Sequence, residues 1–80
     1  MSTVDLTQLK EGESGIVVEI DGGFGLTRRL QSLDLRLGRK VTKVSSQLMR
    51  GPVTVRIGNS QIAIGFGMAR KIILRVEKKK

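Results

Sequence analysis

The sequence predicts a mainly β fold: a small, partly open barrel of five short strands with one α-helix inserted at about residues 25–33. Three observations predict it. Short apolar stretches with strand-like alternation recur along the chain, separated by Gly, Asn and Pro turn residues. One stretch departs from that period, with Leu26, Leu30 and Leu33 spaced four and three apart on a single helical face. The chain has 80 residues and no cysteine, which is room for one small domain with no disulfide to staple it. A barrel suits that size, because it manages its strand edges and fills its interior with side chains alone.

Each element follows in order. Leu6 and Leu9 read as a short turn or helical lead-in, and residues 10–14 as a turn. Ser14–Ile20 alternates as a half-buried strand, with Ile16, Val18 and Ile20 expected on the inner side. Asp21-Gly22-Gly23 breaks it. Gly22, Gly23 and Gly25 allow a tight loop into the helix, and Gly38 is placed to end the connection. Lys40–Ser46 is a second strand in which Val41 and Val44 fall out of phase, so a twist or bulge is expected there. Residues 47–51 form a basic loop. Pro52 opens a third strand, where proline is tolerated, with Val53, Val55 and Ile57 inward and Thr54 and Arg56 outward. Gly58-Asn59 signals a two-residue hairpin into Gln61–Ile64. Residues 65–70 are a single helical turn. Ile72–Val76 is the last strand, with Ile72, Leu74 and Val76 inward.

One domain is expected over residues 1–76, followed by a frayed basic tail at 77–80. The expected core is Ile16, Val18, Ile20, Leu26, Leu30, Leu33, Val41, Val44, Val53, Val55, Ile57, Ile62, Ile64, Ile72, Leu74 and Val76. At roughly 1.5–3 kcal/mol for each fully buried side chain, that set can hold a domain of this size.

The charge is unevenly spread. Residues 1–27 carry one base against five acids, whereas residues 28–80 carry fourteen bases against Asp34 and Glu77, and the whole chain has a formal charge of +8. Such a basic chain suits nucleic acid, an acidic protein or the inner face of a membrane. No apolar run approaches the ~20 residues of a membrane-spanning helix. No basic-then-apolar signal pattern opens the chain. A soluble cytoplasmic protein without membrane insertion is expected. With no Tyr or Trp to stack bases, sequence-specific nucleic-acid binding is not.

The chemistry is largely exclusion. There is no histidine, so no imidazole base and no Ser-His-Asp triad. No Gly-Lys-Ser/Thr phosphate loop is present, and Gly22-Gly23-Phe24-Gly25 reads as a tight turn. Glu19 and Asp21 share a strand face, but two carboxylates make a poor cation site. Without His or Cys a dedicated ferrous site is not expected. The expectation is therefore a non-enzyme with no catalytic residues, no cofactor and no metal ligands of its own. Arg29 flanks the leucine stripe and is expected to pack its stem and pair with Asp21 or Glu19. Arg36, Arg39, Lys40 and Lys43 form the densest basic cluster, by default a solvated face. Phe66 is expected in the core; Phe24 fits either the core or an interface.

An ordered set of short motifs runs along the chain: Leu9-Lys-Glu-Gly12, Gly15-Ile-Val, Gly25-Leu-Thr-Arg-Arg-Leu-Gln-Ser-Leu33, Gly51-Pro-Val-Thr-Val, Ile62-Ala-Ile-Gly and Ala69-Arg-Lys-Ile. Over about residues 6 to 76 this order resembles the FeoA family. The resemblance implies a small cytoplasmic SH3-like barrel of bacterial ferrous iron uptake. It also implies action beside FeoB, a membrane transporter with a cytoplasmic GTP-binding domain. The same fold forms the C-terminal domain of iron-dependent repressors of the DtxR type, which carry a helix-turn-helix domain that this chain has no room for. A stand-alone relative of that domain, or a small nucleic-acid-binding barrel, is the alternative. Two positions depart from the family pattern. Leu33-Asp34 stands where the family writes Leu-Gly, and Leu37-Gly38 where it writes Pro-Gly. Asp tolerates the left-handed backbone better than most residues, so the turn is expected to survive.

The expected docking surface is the outer face of the helix and its flanks: Phe24, Thr27, Arg28 and Gln31, with Arg36 and Arg39 nearby. Arginine and aromatic residues anchor interfaces. The basic cluster would speed encounter with an acidic partner. Residues 49–51 are the second candidate.

Overall fold

Alternating apolar residues assemble into one antiparallel sheet of six strands in the computed structural model, which describes residues 2–45 and 51–76. The elements are β1 (Ser2–Asp5), a 3-10 turn (Leu6–Gln8), β2 (Ser14–Ile20), α1 (Phe24–Gln31), β3 (Lys40–Ser45), β4 (Val53–Ile57), β5 (Ser60–Ile64), α2 (Phe66–Ala69) and β6 (Ile72–Val76). The sheet order is β1-β6-β2-β3-β4-β5. The strand count is thus six rather than five, and the mainly β class with one inserted helix stands. The additional strand, β1, pairs Ser2 with Val76 and Val4 with Leu74. It carries a single large apolar residue, Val4, so alternation had nothing to register. The basic loop at 47–50 and the tail at 77–80 lie outside the described residues.

Two strands bend the expected pattern. In β2 the pairing with β6 shifts between Val17 and Glu19, so Val18 is an extra residue. A bulge of one residue flips every later side chain to the other face. Gly15 and Val17 are therefore buried, Val18 is exposed, Ile16 is half-buried, and Ile20 packs against the core from beyond the bulge. The expected Ile16-Val18-Ile20 face is corrected to Gly15 and Val17, then Ile20. Gly15 also lets β2 approach β6. A Cβ built there would lie 3.0 Å from Leu74 Cβ and 3.2 Å from the Arg75 carbonyl oxygen. In β3 the expected irregularity is present, as a register shift against β4 between Lys43 and Ser45. Val44 is only half-buried there, and Lys43 takes the inward position two residues after Val41.

Lys43 is the one polar or charged residue among the buried ones described, and its backbone partners explain it. Its Nζ donates to the carbonyls of Leu9 at 2.8 Å and Thr7 at 3.1 Å. Its main chain exchanges bonds with the preceding turn, Gly12 N–H to Lys43 O and Lys43 N–H to Glu13 O. A buried ammonium is tolerated only when such acceptors surround it. Burial pushes its pKa below the usual lysine value, and the negative charges of Asp5 and Glu11 oppose the shift. The 3-10 turn that it grips is capped by Asp5, which accepts from the Thr7 N–H and hydroxyl, while Gln8 Oε1 accepts from Asp5 N–H. The turn buries Leu6, with Leu9 buried just after it; both are core residues absent from the expected set.

The remaining core follows the alternation. Val53, Val55, Ile57, Ile64, Ile72, Leu74 and Val76 are buried, joined by Ala69 from α2. The β4–β5 hairpin turns at Gly58, whose φ of 61° suits the first central position of a two-residue turn.

Candidate partner-binding surface

The helix is positioned by its ends. Gly23 O accepts from Thr27 N–H at 3.1 Å and from its hydroxyl at 3.3 Å, which starts α1 without a side-chain cap. At the other end, Asp34 N–H donates to Gln31 O and Leu35 N–H to Leu30 O, both at 2.9 Å, with Asp34 at φ 67°. That pair of bonds across a left-handed residue is a Schellman stop. It predicts apolar contact between the residues at its two ends, and Leu30 and Leu35 are both fully buried in one cluster. Leu33, expected inward, instead sits at the last turn and is exposed, and Leu35 replaces it in the core. The tolerance of Asp for this backbone is realised. Asp34 then adds what glycine lacks: its two carboxylate oxygens pair with Arg36 at 2.9 Å and Arg39 at 2.6 Å.

Around this frame the named surface residues divide. Phe24 is 78% exposed, and the Arg28 guanidinium carbon stands 5.6 Å from its ring centroid. At that distance the cation and the ring face attract by about 0.5–1 kcal/mol at an exposed site. Gln31 is exposed and Thr27 half-buried on the same short helix. Arg36 and Arg39 are brought together on Asp34, in the connector after α1. Val18 and Leu37 are also exposed, and a bond from Gly38 N–H to Val17 O holds the connector against β2. The sequence reading missed the apolar exposure of Leu33 and Leu37. Its signal was the left-handed-tolerant Asp34 with Leu35 next to it, which re-phases the leucines after the helix.

Two further expectations are corrected. Arg29 is exposed and forms no ion pair with Asp21 or Glu19 among the described residues; one residue before the buried Leu30, it stands about 100° round the helix from that side chain. The basic cluster is not one solvated face: Lys43 turns inward, Arg36 and Arg39 share Asp34, and Lys40 stays exposed. Phe66 opens α2 half-buried. No group of three or more His, Cys, Asp or Glu that could hold a metal ion occurs among the described residues, and no described helix is long and apolar enough to cross a membrane.

A six-stranded antiparallel sheet with a short helix after its second strand, a tight β4–β5 hairpin and a helical turn before the last strand defines a small SH3-like barrel. The crystal structure of an iron uptake regulatory protein, FeoA, superposes with a TM-score of 0.85 at 32% identity, covering 94% of this chain and 97% of that one. Stenotrophomonas maltophilia FeoA complexed with zinc, described as a prokaryotic SH3 domain protein, shares the fold with a TM-score of 0.75 at 21% identity, over 89% of this chain and 88% of that one. A Methanocaldococcus jannaschii protein provisionally named Fe(2+) transport protein A is 43% identical over 65 residues, 81% of this chain and 77% of that protein. The FeoA domain model matches residues 4–76, and the chain belongs to the FeoA family.

Proposed function

We propose that this protein is a non-enzymatic accessory of ferrous iron uptake that acts in the cytoplasm by docking on FeoB and its GTPase region. The observation that carries this is the family match across nearly the whole described fold, with a relative named for Fe(2+) transport. The docking surface is the outer face of α1 with its connector: Phe24, Thr27, Arg28 and Gln31, flanked by Arg36 and Arg39. Physical chemistry supports that choice. An exposed phenylalanine stacked beside an arginine leaves apolar area and charge together at the surface, the combination that anchors interfaces. Neither side chain belongs to the buried cluster, so both can be changed without removing core. The test is cellular. In a strain that depends on FeoB for iron, the double change Phe24→Ala with Arg28→Glu should impair ferrous uptake while the protein stays folded. Normal uptake with the folded double variant would move the surface elsewhere, first to the loop at 49–51.

A further inference from the structure

The strands β3 and β4 carry a second feature, distinct from the helix face. A cleft of about 320 Å³ is lined by Arg39, Lys40, Thr42, Arg56 and Gly58. Its construction follows from register. Lys40 and Thr42 share one face of β3, and Thr42 lies directly across from Arg56 on β4. On the other side Thr42 faces Ser14, and the two hydroxyl oxygens are 2.7 Å apart. Arg39 reaches in from the start of β3, with its Nη2 3.3 Å from where a Cβ on Gly58 would stand. Three cations thus line one opening, and no acid lines it.

The state of Arg39 shows what is missing. The Nε–H and one terminal NH2 of a guanidinium form a two-toothed edge that a single oxyanion can occupy. Asp34 divides its oxygens between Arg36 and Arg39, so it engages Arg39 only through Nη2. Arg39 Nε is buried and has no acceptor. Lys40 and Arg56 are exposed, and their side chains have no hydrogen-bond or ion-pair partner among the described residues.

We propose that this cleft binds the dianionic group of a phosphomonoester or of inorganic phosphate. Lys40 and Arg56 supply charge, Thr42 a hydroxyl, and Arg39 lines the same opening with its Nε–H still without an acceptor. A dianion matches the two unpaired cations, Lys40 and Arg56, better than a lone carboxylate does, while Arg39 stays paired with Asp34 through Nη2. The cleft is also larger than a phosphoryl group, which leaves space for an attached organic portion. The proposal does not depend on the FeoB reading: Arg39 borders both, but Lys40, Thr42, Arg56 and Gly58 are outside that surface.

The test is a backbone amide NMR titration of the full chain at pH 7.5 with inorganic phosphate, with glycerol 3-phosphate, and with sodium chloride at matched ionic strength. Saturable shifts centred on Lys40, Thr42, Arg56 and Gly58 are expected with both phosphates. Lys40→Gln and Arg56→Gln, both at exposed sites, should each weaken binding about tenfold, as loss of a charged hydrogen bond does. Arg28→Glu should leave it unchanged. Binding should also fall as the pH drops below about 6, where a phosphomonoester loses its second charge. Equal affinity for the two ligands assigns the site to free phosphate; tighter glycerol 3-phosphate assigns it to an organic phosphomonoester. The proposal is overturned if chloride reproduces the shifts or if both Gln variants bind as wild type does. Tighter binding of a short oligonucleotide than of either phosphate would also overturn it, since that marks a phosphodiester surface.

Discussion

The β4–β5 hairpin and the segment from residue 21 to 39 are built by different rules. In the hairpin the register runs unbroken from Val53↔Ile64 to Ile57↔Ser60, and simple alternation decides what is buried. In the other segment the backbone's manner of stopping decides. Leu30 and Leu35 are buried because a Schellman stop joins them, while Leu33 and Leu37 between and beyond them face water. The hairpin hides its apolar residues and serves stability. The helix segment leaves Phe24, Leu33 and Leu37 exposed, and Phe24 belongs to the proposed docking surface.

The largest effect should separate the leucines. Leu30→Ala should destabilise by about 2–5 kcal/mol, as a fully buried leucine does, and Leu35→Ala should fall in the same range. Leu33→Ala should lose less than about 1 kcal/mol, because an exposed side chain leaves no cavity. Chemical denaturation of the three variants reads this directly. Equal losses at Leu30 and Leu33 would restore the unbroken helical stripe and break the contrast.

Next comes the clamp on the 3-10 turn. Lys43→Met leaves the carbonyls of Thr7 and Leu9 without their donor, and a buried acceptor left unpaired costs about 1–3 kcal/mol. Amide hydrogen exchange should speed up in residues 6–13 more than in β4 and β5. Exchange unchanged around the turn would show that Lys43 is only tolerated there.

A smaller effect tests the stop itself. Asp34→Ala loses both arginine pairs and keeps a left-handed backbone that costs an ordinary residue roughly 1–2 kcal/mol. Asp34→Gly loses the same pairs but not the backbone ease, so it should be the more stable of the two. If Ala equals Gly in a thermal melt, the left-handed turn is not what holds Leu35 inward.

The smallest effect is a pH dependence. Burial lowers the Lys43 pKa below its ordinary 10.5. Between the lowered value and 10.5 the unfolded chain keeps a proton that the folded chain has released, so stability rises with pH through that window. Below it both states are protonated and the contribution is flat. The melting temperature of wild type minus that of Lys43→Met should therefore grow as the pH approaches 10.5. A falling difference would mean that the lysine gains, rather than loses, proton affinity on folding.

Legibility from sequence follows the same division. Strands β4, β5 and β6 could be read almost residue by residue, since nothing interrupts their alternation. The bulge at Val18 could not, because an inserted residue changes phase without changing composition. The strand β1 was hidden by its polar residues, and its pairing with β6 depends on contacts distant in sequence. Within the candidate site, the exposure of Arg28 and Gln31 was readable from helical period, whereas Phe24, at the helix start beside the glycines, fitted either the core or an interface and proves exposed. The sharing of Asp34 by Arg36 and Arg39 was not, since it needs the left-handed turn that folds the connector back. The inward turn of Lys43 was likewise invisible, because its partners are backbone carbonyls that no side-chain pattern encodes.

The most direct measurement is binding of the purified chain to the cytoplasmic region of FeoB, followed by calorimetry for wild type, for Phe24→Ala with Arg28→Glu, and for Arg56→Gln. Loss of an aromatic–arginine anchor at the centre of an interface should weaken binding at least about tenfold, with Arg56→Gln close to wild type and all three proteins equally folded by circular dichroism. If the folded double variant binds FeoB as tightly as wild type, the helix face is not the docking surface.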